Sequence, residues 1–290
     1  MKVQFTGTKR LIWYKFERSD VDEWKLFLIP PLYARLFQSL HKSICDKRCL
    51  TEWKISKSGK CAYNFFKDLS EDDITAIDSF LKAFTRYRLI GQNAILKPYF
   101  TDELNFCLAL DKNYAPPVGG QYKRTEVGEL FKRAKYDKCQ DSLSKLKELM
   151  TAAITKIPTA DFSSNTCLTY MPRKLNEFFY IPELITSAVF KNHALHSRPG
   201  CCLIESSLSE NIASMKNLPF TTKAKYWDRL IRSDKIAISG SVSGKNVYII
   251  DDLYQSGISM WSFAKFLKSR GAAQVYGLVC VKAGKDTDNQ

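Results

Sequence analysis

The chain has only three histidines, His41, His193 and His196, and no Cys-x-x-Cys pair. It has no apolar stretch long enough to cross a bilayer and no repeat or low-complexity tract. Each shortage removes a class of explanation. Without clustered His and Cys at ligand spacing, a structural zinc site is a poor fit. His41, Cys45, Cys49 and Cys61 are the nearest approach, at unsuitable intervals. No Cys is matched to a His and an Asp, which argues against thiol catalysis. The start, Met1-Lys2-Val3-Gln4-Phe5, lacks the apolar core of a signal peptide, so the expected location is cytoplasmic, with no membrane partner.

The chain does carry apolar material and positive charge. Hydrophobic residues make up 45% of the 290 positions and aromatics 13%, enough for one large or two modest cores. The formal net charge is +14. A basic excess favours anionic partners, and a phosphorylated small molecule, RNA and DNA all qualify.

Residues 1–115 read as an accessory module, α+β or mainly helical. Trp13, Tyr14, Phe16, Trp24, Phe27 and Leu28 suggest strands, and Pro30-Pro31 opens a helix pattern over residues 32–44. Ser70 with Asp73 three residues later marks a helix start with an acidic first turn, running to about Tyr87. The segment 111–121, with Pro116-Pro117 and Gly119-Gly120, is the expected linker to a second domain over 116–290.

From there, helix patterns over 126–134 and 141–154 lead into an alternation of short apolar runs and helices. Strands are expected at 166–170, 201–204, 247–250 and 275–281, and helices at 182–190 and 260–269. Residues 205–236 are polar with little periodicity. Runs apolar on both faces, alternating with helices, predict an α/β fold with a mostly parallel sheet flanked by helices.

The densest signal is Asn246-Val247-Tyr248-Ile249-Ile250-Asp251-Asp252-Leu253-Tyr254-Gln255-Ser256-Gly257-Ile258-Ser259. A buried strand ends in two acids, then a short polar turn with one glycine opens a helix. In open α/β sheets, ligands sit beyond the carboxyl ends of the strands. Vicinal sugar hydroxyls can donate to Asp251 and Asp252. The backbone N–H groups of Gln255 to Ser259 can converge on a phosphate at the helix N-terminus. The competing structural reading has Asp252 capping a turn and Gly257 only bending the chain.

This segment resembles the phosphoribosyl pyrophosphate signature of type I phosphoribosyltransferases, with the ComF-like branch the nearest look. The resemblance covers roughly 120–284. It includes the Leu130-to-Tyr136 element, the Thr169-Tyr170-Met171-Pro172-Arg173-Lys174 strand and turn, and Asp228-Arg229-Leu230-Ile231-Arg232 in the long loop. It implies that Asp251 and Asp252 hold ribose and that Gln255, Ser256, Gly257, Ile258 and Ser259 hold the 5-phosphate, with Leu253 and Tyr254 completing the binding segment. Arg173 and Lys174 are then the expected pyrophosphate residues, and Arg229 and Arg232 those that close over the site. A small hydroxylated residue is usual in the family where Gln255 stands.

The implied activity is magnesium-dependent transfer of a 5-phosphoribosyl group from phosphoribosyl pyrophosphate to a base or amine. Mg2+ would be held by substrate and water near Asp251 and Asp252, and the family implies a homodimer. Two alternatives stand beside it. One is a non-catalytic sensor of phosphoribosyl pyrophosphate or a 5-phosphorylated nucleotide. The other is DNA or RNA contact through the N-terminal module, using Lys9, Arg10, Trp13, Tyr14, Arg86, Tyr87 and Arg88.

Overall fold

The computed structural model describes residues 5–9, 12–18, 24–92, 95–115, 117, 119–155, 165–175, 177–194, 201–210 and 218–283. In chain order the elements are β1 (Phe5–Lys9), β2 (Ile12–Arg18), β3 (Trp24–Ile29), α1 (Pro31–Leu40), α2 (Lys42–Arg48), β4 (Lys54–Ile55), β5 (Ala62–Lys67), α3 (Glu71–Arg86) and β6 (Arg88–Ile90). There follow β7 (Phe106–Lys112), α4 (Glu126–Lys135), α5 (Gln140–Ile154), β8 (Thr166–Tyr170), α6 (Ile181–Ala194), β9 (Cys202–Leu203) and β10 (Ser206–Leu208). The last are α7 (Phe220–Arg232), β11 (Ile236–Ile238), β12 (Asn246–Tyr254), α8 (Ile258–Ser269) and β13 (Gln274–Lys282). These residues divide into two compact units, one up to Leu89 and the other from Ile90 onward.

The first unit is α+β. Its antiparallel sheet has the order β1-β2-β3-β5-β4. Phe27 on β3 and Phe66 on β5 meet Phe37 of α1, and Phe80 of α3 packs edge-on against Phe37. All four rings are fully buried, and edge-to-face aromatic contacts of this kind add to their area burial. The cap at α3 forms as its residues dictate. Ser70 Oγ accepts from the Asp73 N–H at 3.1 Å, and the Asp73 carboxylate accepts from the Ser70 N–H at 3.0 Å. The expected single helix over 32–44 is instead two, because His41 leaves helical geometry between α1 and α2.

The second unit is built on a sheet in which five of its strands run in the order β7-β13-β12-β8-β9. Its β7–β13, β13–β12, β12–β8 and β8–β9 pairs are all parallel. The fold is therefore α/β with a mostly parallel, helix-flanked sheet. The division of the chain differs from the expected one near residue 115. β7 pairs with β13 inside this sheet, so residues 90–115 belong to the second unit. Pro117, Gly119 and Gly120 lie in a loop closed by the Tyr114–Arg124 bridge. Val247 and Ile249 of β12 share a core with Phe263, Phe266 and Leu267 of α8 and with Trp227 and Leu230 of α7. Strand alternation turns Tyr248 and Ile250 to the other face, which α4, α5 and α6 cover.

Residues 220–232 differ most from expectation. They form the helix α7 rather than part of a long loop, and β10 pairs antiparallel with β11 beside it. The buried stripe of α7 is Phe220, Lys223, Trp227 and Leu230. A lysine stands in the apolar row, which hides the helical period from a count of hydrophobic residues. No helix among the described residues is long and apolar enough to cross a membrane.

Candidate functional site

Strand β12 runs four residues past its last pairing with β8, which ends at Ile250 opposite Tyr170. Its carboxyl end therefore reaches beyond the neighbouring strand, and the residues that emerge there are Asp251 and Asp252. Alternation continues Val247 and Ile249 into Asp251 and Tyr248 and Ile250 into Asp252, so the two carboxylates leave opposite sides of the strand. After Tyr254 the chain turns through Gln255 to Gly257 and enters α8. Gly257 is the N-cap of that helix, with a left-handed backbone (φ 87°) and no side-chain cap. The first-turn N–H groups of a helix have no acceptor within it, and they carry partial positive charge toward the turn.

A cavity of about 660 Å3 opens on these residues. It is lined by Asp251 through Met260, by Lys135, Tyr136 and Lys138, and by Met171, Pro172 and Lys174 of the β8–α6 turn. Lys223 and Trp227 of α7 and Glu177, Phe179 and Tyr180 complete much of the rest. Its volume is that of a small-molecule site. Four lysines, Lys135, Lys138, Lys174 and Lys223, stand against three acids on this lining.

The hydrogen bonds fix the acids and the loop. Lys135 Nζ donates to Asp252 Oδ2 at 2.6 Å. Burial works against the Lys135 charge, but the Asp252 carboxylate outweighs it, with help from Asp251, and its pKa is raised. Asp251 Oδ1 accepts from the Asp252 N–H at 2.8 Å. Lys282 Nζ holds the Gln255 carbonyl at 2.9 Å, which pins the middle of the turn to the end of β13. Trp227 Nε1–H donates to Ser259 Oγ at 3.2 Å. Because that lone pair is taken, the Ser259 hydroxyl proton is left to donate elsewhere. The buried Tyr180 hydroxyl donates to the Met171 carbonyl at 2.8 Å, and burial followed by the nearby Asp251 and Asp252 charges pushes its pKa up.

Burial first, then repulsion from Asp252, holds Asp251 well above the usual carboxylate range, against the opposing Asp252 N–H and Lys135 charge. A carboxyl with a raised folded pKa keeps its proton where the unfolded chain has lost its own. Stability therefore falls as pH rises above the ordinary value of 3.8. Asp251→Asn should raise the melting temperature of the ligand-free protein at pH 7, and the gain should shrink as pH is lowered toward 4. Thermal melts across that range check it. A variant that melts below the wild type at pH 7 would show the charged carboxylate to be stabilising.

The residues singled out in the sequence fall in two groups. Asp251, Asp252, Lys174 and the whole run Leu253–Ser259 line one cavity. Arg173, Arg229 and Arg232 do not. Arg173 pairs with Glu183 at 3.0 Å, Arg229 with Glu210 at 2.6 Å, and Arg232 with Asp228 one turn back at 2.8 Å. The last two sit on the rigid helix α7 rather than on a loop free to close, because the apolar side of that helix is packed into the core. Sequence reasoning passed over Lys135 as a site residue, and also Lys138, Lys223, Trp227 and Tyr180. Lys135 lies in the Leu130–Tyr136 element and so had a signal. Lys223 had none beyond its place at helical spacing from Phe220 and Trp227.

Among the described residues no group of three His, Cys, Asp or Glu could hold a metal ion. All nine cysteines are free thiols. The His193 side chain and all of His196 lie outside the described residues, as do Arg10 and the side chains of Lys9, Trp13, Tyr14 and Arg86.

Comparison with known proteins gives a broad and slight likeness. No family model matches the chain. No curated protein matches it. Among solved structures, a hypoxanthine phosphoribosyltransferase from Staphylococcus aureus is similar at 14% identity, over 51% of this chain and 69% of that one, with a TM-score of 0.32. An adenine phosphoribosyltransferase from Leishmania tarentolae is similar at 9% identity, over 61% and 88%, with a TM-score of 0.32. One from Leishmania donovani is similar at 10% identity, over 75% and 86%, also with a TM-score of 0.32. The α/β assignment rests on the strand order and register given above.

Proposed function

We propose that this protein binds phosphoribosyl pyrophosphate at the β12–α8 junction and transfers its 5-phosphoribosyl group to a base or amine. The observation that carries the reading is that two strand-end carboxylates and an uncapped helix N-terminus line one cavity. Few ligands need both. A 5-phosphorylated ribose does, since its vicinal hydroxyls donate to carboxylates and its phosphate accepts from converging N–H groups.

In this reading Asp251 and Asp252 hold the ribose diol, and the turn from Gln255 to Ser259 takes the 5-phosphate. Ser259, with its acceptor side engaged by Trp227, adds a hydroxyl donor. The diphosphate lies toward Lys174 and Lys223, which reach the cavity from the β8–α6 turn and from α7. As the bond to the anomeric carbon lengthens, positive charge grows on the ring and negative charge on the leaving group. Carboxylates beside the ring and lysines beside the diphosphate stabilise that separation. The donor set suits Mg2+ held mainly by diphosphate oxygens and water, with Asp251 and Asp252 as the adjacent protein oxygens. When bound, the ion would neutralise charge on the departing diphosphate.

Titration of phosphoribosyl pyrophosphate into the protein with Mg2+ should give saturable heat. A panel of purine, pyrimidine and simple amine acceptors should contain one that releases pyrophosphate. Saturable binding with no release from any acceptor would favour a sensor. No binding at all would overturn the site.

A further inference from the structure

Away from the cavity, three cysteines and a lysine gather at the β8–β9 edge of the parallel sheet. Cys167 on β8 and Cys202 on β9 are register partners on neighbouring parallel strands, so their side chains leave the sheet on the same face. The Cys202 thiol donates to the Thr166 carbonyl at 3.9 Å, beside Cys167 on β8. Lys245, in the turn before β12, donates from Nζ to Cys202 Sγ at 3.1 Å. Cys201 is next in sequence, just ahead of β9. Cys167 is fully buried, whereas Cys202 is half-buried on the edge strand β9.

We propose that Cys202 is a peroxide-reactive thiol, activated by Lys245 and resolved by Cys167 into a disulfide across β8 and β9. The thiolate is the nucleophile in such chemistry, and an adjacent ammonium favours it. Contact with the Cys202 sulfur, working against burial, raises the Lys245 pKa, so the ammonium stays charged at neutral pH. Burial holds the Cys167 thiol up, with further repulsion from Cys202. Cys167 therefore waits as a protonated partner, and the roles of attacking and resolving sulfur are set by depth. Cys201 is a poor resolver, because a disulfide between sequence neighbours closes a strained ring.

The chemistry balances with a hydroperoxide as the named oxidant. The Cys202 thiolate attacks one peroxide oxygen, an S–O bond forms and the O–O bond breaks. The departing oxygen takes a proton from Lys245, which solvent restores, and Cys202 is left as a sulfenic acid. Cys167 sulfur then attacks Cys202 sulfur, an S–S bond forms, and the sulfenic hydroxyl leaves as water with the Cys167 proton. Two thiols are oxidised and one peroxide is reduced. Neighbouring strands lie about 4.8 Å apart, inside the Cα separation of roughly 4.4–6.8 Å that a disulfide spans.

The test uses the full chain, fully reduced, exposed briefly to hydrogen peroxide and then blocked with iodoacetamide. Peptide mass spectrometry should find a Cys167–Cys202 crosslink. With Cys167→Ala, Cys202 should stop at a sulfenic acid that dimedone captures. Lys245→Met, a change at a partly exposed position, should slow Cys202 oxidation about fivefold at pH 7, because the ammonium beside the attacking sulfur and its proton for the departing oxygen are lost. Lys245→Arg should restore most of the rate, because the charge returns. Should Cys167→Ala fail to fold, the crosslink in the wild type and the Lys245 pair of variants still decide the matter. The proposal is overturned if Cys202 oxidises no faster than Cys139, if the crosslink joins Cys202 to Cys201, or if Lys245→Met leaves the rate unchanged.

Discussion

The double change Asp251→Asn, Asp252→Asn should lower affinity for phosphoribosyl pyrophosphate with Mg2+ by at least about a hundredfold. Each carboxylate is assigned charge-assisted hydrogen bonds to the ribose diol, and such bonds contribute about 1.5–3 kcal/mol apiece. Two losses give about 3–6 kcal/mol, or roughly two to four powers of ten in Kd. Isothermal titration of wild type and variant at one ionic strength measures it, with circular dichroism to show that the fold persists. The side chains keep their size, so a loss of binding reports charge rather than a collapsed cavity. The single changes should then separate. Asp252→Asn takes the ion-pair partner from Lys135 and should cost stability. Asp251→Asn replaces a carboxyl that burial and Asp252 force to hold its proton, and should add stability while it weakens binding. Opposite signs for stability and affinity at one residue mark a group kept for its ligand. Unchanged affinity in the double variant would remove the ribose from this end of β12.

The reason so much of this corner was legible in the sequence is that its elements are local. An apolar run, two acids, a glycine turn and a helix follow one another without interruption from Asn246 to Ser269, and each states its own geometry. The helix-flanked parallel sheet was legible for the same reason, since runs such as Val247–Ile250 and Val275–Val281 are apolar on both faces. What escaped was whatever depends on contacts distant in sequence. β7 reads as one more apolar segment before a Pro-Gly stretch, and only its register with β13 shows which unit owns it. Lys135 meets Asp252 across 117 positions, a pairing no spacing rule expresses. In α7, Lys223 is 5% exposed yet occupies the buried stripe, so a polar residue stands where the periodicity needs an apolar one. Arg229 and Arg232 misled for the complementary reason. They are basic and close to the signature in sequence, but on α7 they meet Glu210 and Asp228. Packing decides which of the basic residues reach the cavity.

Gly257→Ala should be strongly damaging to both stability and binding. The residue has φ 87°, which places an L side chain in the left-handed region at a cost of about 1–2 kcal/mol. Space adds to this. A Cβ at Gly257 would lie 2.1 Å from Tyr254 Oη, 2.4 Å from Cζ and 2.9 Å from Cε1. Tyr254 has little freedom to yield. Its ring is buried, its hydroxyl accepts from Trp261 Nε1 at 3.3 Å, and the Lys282 ammonium sits over it at 5.3 Å. Overpacking of this kind costs about 1–3 kcal/mol more, so chemical denaturation should show a loss of about 2–5 kcal/mol. Tyr254→Phe combined with Gly257→Ala should recover little, because the ring carbon Cζ remains in the way at 2.4 Å. The same clash moves the N-terminus of α8, and the N–H groups that the proposal aims at phosphate move with it. Affinity for phosphoribosyl pyrophosphate should therefore fall even where the variant is fully folded, below its midpoint of denaturation. If Gly257→Ala instead folds with wild-type stability and wild-type affinity, the turn is not held against Tyr254, and the phosphate cradle at the head of α8 loses its geometric basis.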